Sequence, residues 1–131
     1  MLKNREAEIC KNSRAITFKT YGIANLLSGP EYHELRTELI DSAFKVSSGI
    51  AGAFNALQHH HFEQQIALAI DDIDCIIIQL QTIVSEGLLE SGKLQPLQSI
   101  LNSEQQELKE LLAASVINNL FSSPKLEKAC I

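Results

Sequence analysis

Apolar residues recur at alternating steps of three and four along four stretches of this chain, and this period is what most limits the fold. The third stretch shows it most clearly, with apolar side chains in nearly unbroken register: Ile66, Ile70, Ile73, Ile77, Leu80 and Val84. A helix with this period places these side chains on one stripe, which must be buried against other helices. We therefore predict an all-α fold, an antiparallel up-down four-helix bundle.

Punctuating residues divide the chain into these helices. Pro30 fits the first turn of a helix, and Gly29 before it would supply a left-handed cap for the preceding one. Gly87 marks a later connection, and the Ser122-Ser123-Pro124 run predicts the last helix end, followed by a flexible tail over 122–131. The predicted helices cover about 3–27, 30–53, 61–86 and 94–120, within one domain, 1–131.

The other three helices carry matching stripes. Helix one is predicted to bury Ile9, Ile16, Ile23 and Leu27. Helix two is predicted to bury Tyr32, Leu35, Leu39, Ala43, Val46, Ile50 and Leu57. Helix four is predicted to bury Leu97, Leu101, Leu108, Leu111, Leu112, Val116 and Leu120. Only 5% of the residues are aromatic, which suits Leu, Ile and Ala packing between helices better than a sheet protein.

Location and redox state follow from the same sequence. No apolar run approaches the roughly 20 residues of a membrane span, and the charged N-terminal segment lacks an apolar core. We therefore expect a cytoplasmic protein with no membrane partner. Cys10, Cys75 and Cys130 lie far apart and are odd in number, which argues against a disulfide framework or a zinc site.

Candidate catalytic chemistry is thin. His59, His60 and His61 beside Glu63 suggest a metal site, but consecutive helical residues point about 100° apart and cannot all face one ion. A solvated loop is the expected setting. Asp71 and Asp74 lie off the apolar stripe, as expected for an acidic surface. We predict no catalytic residues, no bound metal, no cofactor, no small-molecule substrate and no enzymatic activity.

A second set of apolar residues is rotated away from the main stripes. Ile40 and Phe44 on helix two, with Leu68 and Ile78 on helix three, would be exposed in a lone bundle, which makes them candidates for an oligomer interface. Gly49 and Gly52 are candidates for close approach at that interface. Two alternatives stay open: wide cores tolerate some exposed Leu or Ile, and the glycines lie near a helix end.

Charge is distributed unevenly. Residues 1–19 hold five basic and two acidic residues, a charge of +3. Because the net charge of the chain is −5, the remaining residues carry −8. Lys3, Lys11 and Arg14 fall on one face of helix one and are candidates for contact with an anionic partner. The alternative is a solvated polar face. Because phosphate binding depends on clustered basic residues, an acidic body predicts weak nucleic-acid binding.

The middle of the chain resembles a known family. From Tyr32 to Leu89 it looks like the four helix bundle proteins of intervening sequences in bacterial 23S ribosomal RNA, and like accessory proteins of diversity-generating retroelements. Gly49-Ile50-Ala51-Gly52-Ala53 falls where the family has Asn-Ile-Ala-Glu-Gly, Phe62 falls at the family Phe, and Cys75 lies near a family Glu. The Ile-Ala pair matches, whereas the polar members of that motif and the Glu are replaced.

The resemblance implies a cyclic homo-oligomer, often a pentamer. In the retroelement relatives it also implies a basic surface that contacts nucleic acid and a reverse transcriptase. We thus expect a non-enzymatic, oligomeric interaction or scaffold protein whose main partner is itself. The alternative is a weak nucleic-acid-binding accessory protein that uses the basic face of helix one.

Overall fold

The computed structural model describes the backbone of residues 2–130 and the side chains of residues 4–118. It contains four α-helices and, within the described residues, no strand: α1 Leu2–Leu26, α2 His33–Phe54, α3 His59–Ser85 and α4 Ser91–Cys130, with a 3₁₀ helix at Pro30–Tyr32. Each helix packs against the next one in the chain, and α4 also packs against α1. The four helices therefore form a bundle around one contiguous core.

The α1–α2 connection depends on Pro30 and Arg36. Pro30 lies in the first turn of the 3₁₀ helix that leads into α2, as predicted. The Arg36 guanidinium donates hydrogen bonds to the carbonyl oxygens of Leu27 and Gly29, the second of which also accepts from the Tyr32 N–H. Gly29 has an extended backbone, φ −75° and ψ 149°, so the predicted left-handed cap at this position is wrong.

The left-handed cap lies instead at the end of α3. Gly87 has φ 71° and is the one described residue with positive φ. Its N–H bonds the Val84 oxygen and the Leu88 N–H bonds the Ile83 oxygen, each at 3.0 Å, which is a Schellman motif. The motif at Gly87 ends α3 at a defined residue and turns the chain toward α4.

The α2–α3 break, for which the sequence offers no Gly or Pro, covers only residues 55–58.

The core largely follows the predicted stripes. All four residues predicted for helix one are buried, including Leu27 just past the end of α1, and Leu39, Ala43, Val46 and Ile50 are buried on α2. On α3, Ile76 and Ile83 are fully buried whereas the predicted Ile77 and Val84 are only half-buried. On α4, Leu97, Leu101, Leu108 and Leu111 are buried, Val116 is exposed, and Leu120 lies outside the described side chains. Leu57 is fully exposed because it lies in the α2–α3 connection, past the end of α2.

Two predicted boundaries require correction. The helix α3 begins at His59, so the three histidines form its first turn and not a loop. The helix α4 continues through Ser122, Ser123 and Pro124 to Cys130, where a tail was predicted. Proline inside a helix removes one N–H donor and strains the preceding turn, but this does not by itself end the helix.

Candidate interaction surface

Apolar side chains of α1 and α2 are exposed on the outside of the bundle. Phe44 is 62% exposed, and together with the half-buried Ile40 and with Tyr21 of α1 it lines a cleft of about 310 Å³. Phe18, 76% exposed, lies one helical turn before Tyr21 on the same face of α1. We call Phe18, Tyr21, Ile40 and Phe44 the α1–α2 surface. Of these, sequence reasoning identified Ile40 and Phe44 as interface candidates and missed the two aromatic residues of α1.

A second apolar patch lies on the outer side of α3. Leu68 and Ile78 are 50% and 60% exposed, and Cys75 between them is also exposed. Their spacing of seven and three residues keeps the three side chains on one side of the helix. We call Leu68, Cys75 and Ile78 the α3 surface. It belongs to a different helix from the α1–α2 surface, so one chain presents two distinct apolar patches.

Gly49 and Gly52 do not face either patch. A Cβ placed on Gly49 would lie 3.8 Å from Gln65 Oε1 and 3.9 Å from the Ala69 Cβ, and one on Gly52 would lie 3.7 Å from Gln65 Cδ. Both glycines therefore face α3 of the same chain at ordinary contact distance. This packing explains their position without a second subunit, and we leave them out of the proposed interface.

Charged residues separate the two patches along the α2–α3 edge. The Lys45 Nζ lies 3.2 Å from the Asp41 carboxylate, and this hydrogen bond and charge raise the pKa of Lys45, to which Asp72 of α3 also contributes. Partial burial raises the pKa of Asp72, while Lys45 opposes that rise. Because the Asp41–Lys45 pair is well exposed, it contributes little to stability and instead marks a polar border.

The basic face predicted on α1 is present in part. Lys11 and Arg14 are exposed and form no ion pair with the residues whose side chains are described. Their spacing places them on the same side of α1 as Phe18, so the basic face adjoins the α1–α2 surface. Lys3 lies outside the described side chains. Arg5 is engaged elsewhere, because it pairs with Glu107 and Glu110 of α4 at 3.1 Å each.

One buried acid was missed by the sequence reasoning. Glu104 lies on the apolar stripe of α4, is 0% exposed, and has no hydrogen-bond partner for either carboxylate oxygen among the described residues. Burial raises the pKa of Glu104 to about 8, Asn12 beside it lowers this value in part, and the carboxylates of Glu107 and Glu8 raise it. Asn12 does not reach hydrogen-bonding geometry with the carboxylate. At neutral pH Glu104 is therefore mainly a neutral acid inside the α1–α4 interface.

Thr20 Oγ1 and Gln79 Oε1 are likewise buried without a hydrogen-bond partner among the described residues, whereas several other buried polar groups are paired. The Ser13 and Thr17 hydroxyls of α1 lie 3.0 and 2.7 Å from the Ser47 hydroxyl of α2. The Gln105 amide of α4 donates to the Ile70 carbonyl oxygen and to the Asp74 carboxylate of α3. These bonds fix how neighbouring helices are aligned, and Asp74 is therefore more than a solvated acid.

Within the described residues, no three His, Cys, Asp or Glu side chains are placed to hold a metal ion. The His60 and His61 rings pack edge to face at 4.4 Å in the first turn of α3. Burial, followed by the charge of Glu6, raises the pKa of the Cys10 thiol, which disfavours the reactive thiolate.

Comparison of the chain with protein-family models, with curated proteins and with solved structures found no match. Within the described part of the chain, none of the helices combines the length and the apolar content that crossing a bilayer requires. The chain is thus characterised by a helical bundle, two apolar surfaces, a neighbouring basic face and a buried acid.

Proposed function

We propose that the protein is a non-enzymatic, cytoplasmic interaction protein that associates with copies of itself through the α1–α2 surface. The observation that carries this proposal is the exposure of Phe44, at 62%, in a cleft that Tyr21 and Ile40 also line, with Phe18, 76% exposed, one turn from Tyr21 on α1. Contiguous apolar area of this kind is uncommon on monomers and typical of interfaces. Single exposed residues would not support this proposal, but three side chains that line one cleft do.

The two apolar surfaces favour a ring over a simple dimer. When a surface on one subunit binds a different surface on the next, the assembly closes into a ring if the rotation allows it. The α3 surface is a candidate to receive the α1–α2 surface of a neighbour, because each exposes apolar side chains on a different part of the bundle. The resemblance to the intervening-sequence family supports the same interpretation, and we propose membership of that family with a ring of about five subunits.

Light scattering after gel filtration tests the assembly. We expect the wild-type chain to form an oligomer at micromolar concentration, and Phe44→Asp or Ile78→Asp to lower its mass, because a buried unpaired carboxylate strongly opposes association. Asn102→Asp is the matched control, since it adds the same charge at an exposed position of α4. A wild-type monomer would contradict the proposal.

Mixing the two variants separates a ring from a dimer. Phe44→Asp retains an intact α3 surface, and Ile78→Asp retains an intact α1–α2 surface. If the interface joins the two different surfaces, an equimolar mixture gains one intact contact and forms a heterodimer. If each surface binds only its own copy, the mixture shows no species that the separate variants lack.

A second candidate function rests on the basic face. Lys11 and Arg14 are exposed and unpaired beside Phe18, and basic residues next to exposed aromatic rings are typical of proteins that bind single-stranded nucleic acid. Only a few contacts are available per chain, and the acidic remainder repels phosphates. We expect weak binding that a ring would strengthen by multiplicity.

Fluorescence anisotropy with single-stranded RNA, structured RNA and duplex DNA tests this candidate. We expect binding at about 50 mM salt that is lost near 150 mM, and that Lys11→Glu/Arg14→Glu removes. Lys93→Glu/Lys109→Glu makes the same charge change at exposed positions of α4 and should retain most of the binding. Binding that survives the first double variant would place the contact elsewhere, and absence of binding at low salt would exclude this function.

A further inference from the structure

A cavity of about 420 Å³ opens at the end of the bundle where α2 ends and α3 begins. All four helices and the 55–58 connection contribute to its walls. Most of the described residues that line it are apolar, among them Phe54, Leu57, Phe62, Leu111 and Ala114. It is separate from the α1–α2 cleft, since the two share no described lining residue.

The cavity exists because several side chains at this end of the bundle are small and leave space between the helices. Ala53, Ala114 and Ser115 occupy positions where larger residues would close the space. Phe54 and Phe62 are only half-buried, and their tilted rings, 6.1 Å apart, form one wall. Leu57 is fully exposed at the rim. The chain therefore leaves apolar surface here that its own described side chains do not cover.

Two polar groups in the wall are already paired. The Ser115 hydroxyl donates to a Glu63 carboxylate oxygen at 2.8 Å, and the Arg5 guanidinium pairs with Glu107 and Glu110. Arg5 and Glu6, which both line the cavity, carry opposite formal charges. An apolar guest would leave these pairs intact, whereas a charged guest would compete with them.

We propose that this cavity binds an uncharged, largely apolar small molecule. Its volume falls within the range of about 300–1,000 Å³ that is usual for ligand sites. His59 and Asn118 also line the cavity and could bond one polar group of the guest. Bound there, the molecule would touch all four helices and hold this end of the bundle together.

Fluorescence titration with N-phenyl-1-naphthylamine, an uncharged apolar dye, tests the inference. We expect saturable binding with one site per chain, weakened at least about tenfold by Ala114→Phe, which fills the cavity, and also by Leu57→Asp, which places a charge at the rim. Leu57 is fully exposed, so its replacement cannot act by unfolding the core. Phe44→Asp, in the other cleft, should leave dye binding unchanged whatever it does to oligomer mass.

Three results would overturn the inference. The first is the absence of saturable dye binding to the wild type. The second is wild-type affinity retained by both Ala114→Phe and Leu57→Asp, or a loss confined to Phe44→Asp, either of which would place the dye elsewhere. The third is tighter binding of the anionic 1-anilinonaphthalene-8-sulfonate than of the uncharged dye, which would show that charge selects the guest.

Discussion

Replacing Glu104 by Gln is expected to make the protein more stable at pH 8 and to remove most of the pH dependence of its unfolding. The folded state holds the pKa of this carboxyl at about 8, against an ordinary value of 4.5. Between these values the folded protein keeps a proton that the unfolded chain releases. Stability therefore falls as pH rises through this window, by up to about 1.4 kcal/mol per pH unit.

Below pH 4.5 this loss is absent, because Glu104 is protonated in both states. Above pH 8 the loss is complete and constant. The glutamine side chain at this position does not titrate. The free energies of unfolding of the two proteins should therefore be similar near pH 5 and differ by a few kcal/mol at pH 8. Urea unfolding at intervals from pH 5 to pH 9 measures this. Glu38→Gln, at an exposed site on α2, is the control and should leave the slope unchanged. Parallel curves for the wild type and Glu104→Gln would show that Glu104 is ionised in the folded state.

Ile73→Ala is expected to destabilise the fold by roughly 2 to 5 kcal/mol. Ile73 is fully buried on α3, so truncation removes apolar contacts and leaves a cavity that packed neighbours cannot fully close. Leu39→Ala, equally buried on α2, should behave alike. Ile78→Ala is the matched control, because its side chain is 60% exposed within the chain.

Denaturant midpoints at a concentration where Ile78→Ala is monomeric separate packing from assembly. Under those conditions the Ile78→Ala midpoint should match that of the wild type diluted until it too is monomeric. An unchanged midpoint for Ile73→Ala would mean that the stripe assigned to α3 does not face the core.

Periodicity predicted the bundle because the apolar spacing follows from helix geometry alone. It could not show whether Ile76 or Ile77, or Ile83 or Val84, is the more deeply buried. Which side of a wide stripe is fully buried depends on the neighbouring helices. Glu104 was missed although it occupies the stripe position between Leu101 and Leu108. Searching the stripes for charged residues as well as apolar ones would have found it.

For the candidate interaction surfaces, the sequence predicted only those residues whose exposure follows from spacing within one helix. Phe44 and Ile78 were identified from their rotation away from the stripes, and both are exposed. Tyr21 joins Phe44 only because α1 and α2 pack side by side, which spacing within one helix does not report. The end cavity likewise depends on four helices at once. The expectation of no small-molecule substrate was based on motifs, and motifs carry no information about such a space.

The cyclic order of the helices has a consequence for how the chain folds. Three of the four helix pairs join neighbours in sequence, so their contacts close short loops, a topology that folds in the microsecond-to-millisecond range. The fourth pair is different, because the Arg5–Glu107 bond joins residues 102 positions apart. Closing that long loop gives the largest loss of chain entropy, so we expect α1 to dock on α4 last. The helix that completes the bundle is also the one that faces the unpaired Glu104, and the latest folding step thus coincides with the interface most sensitive to protons.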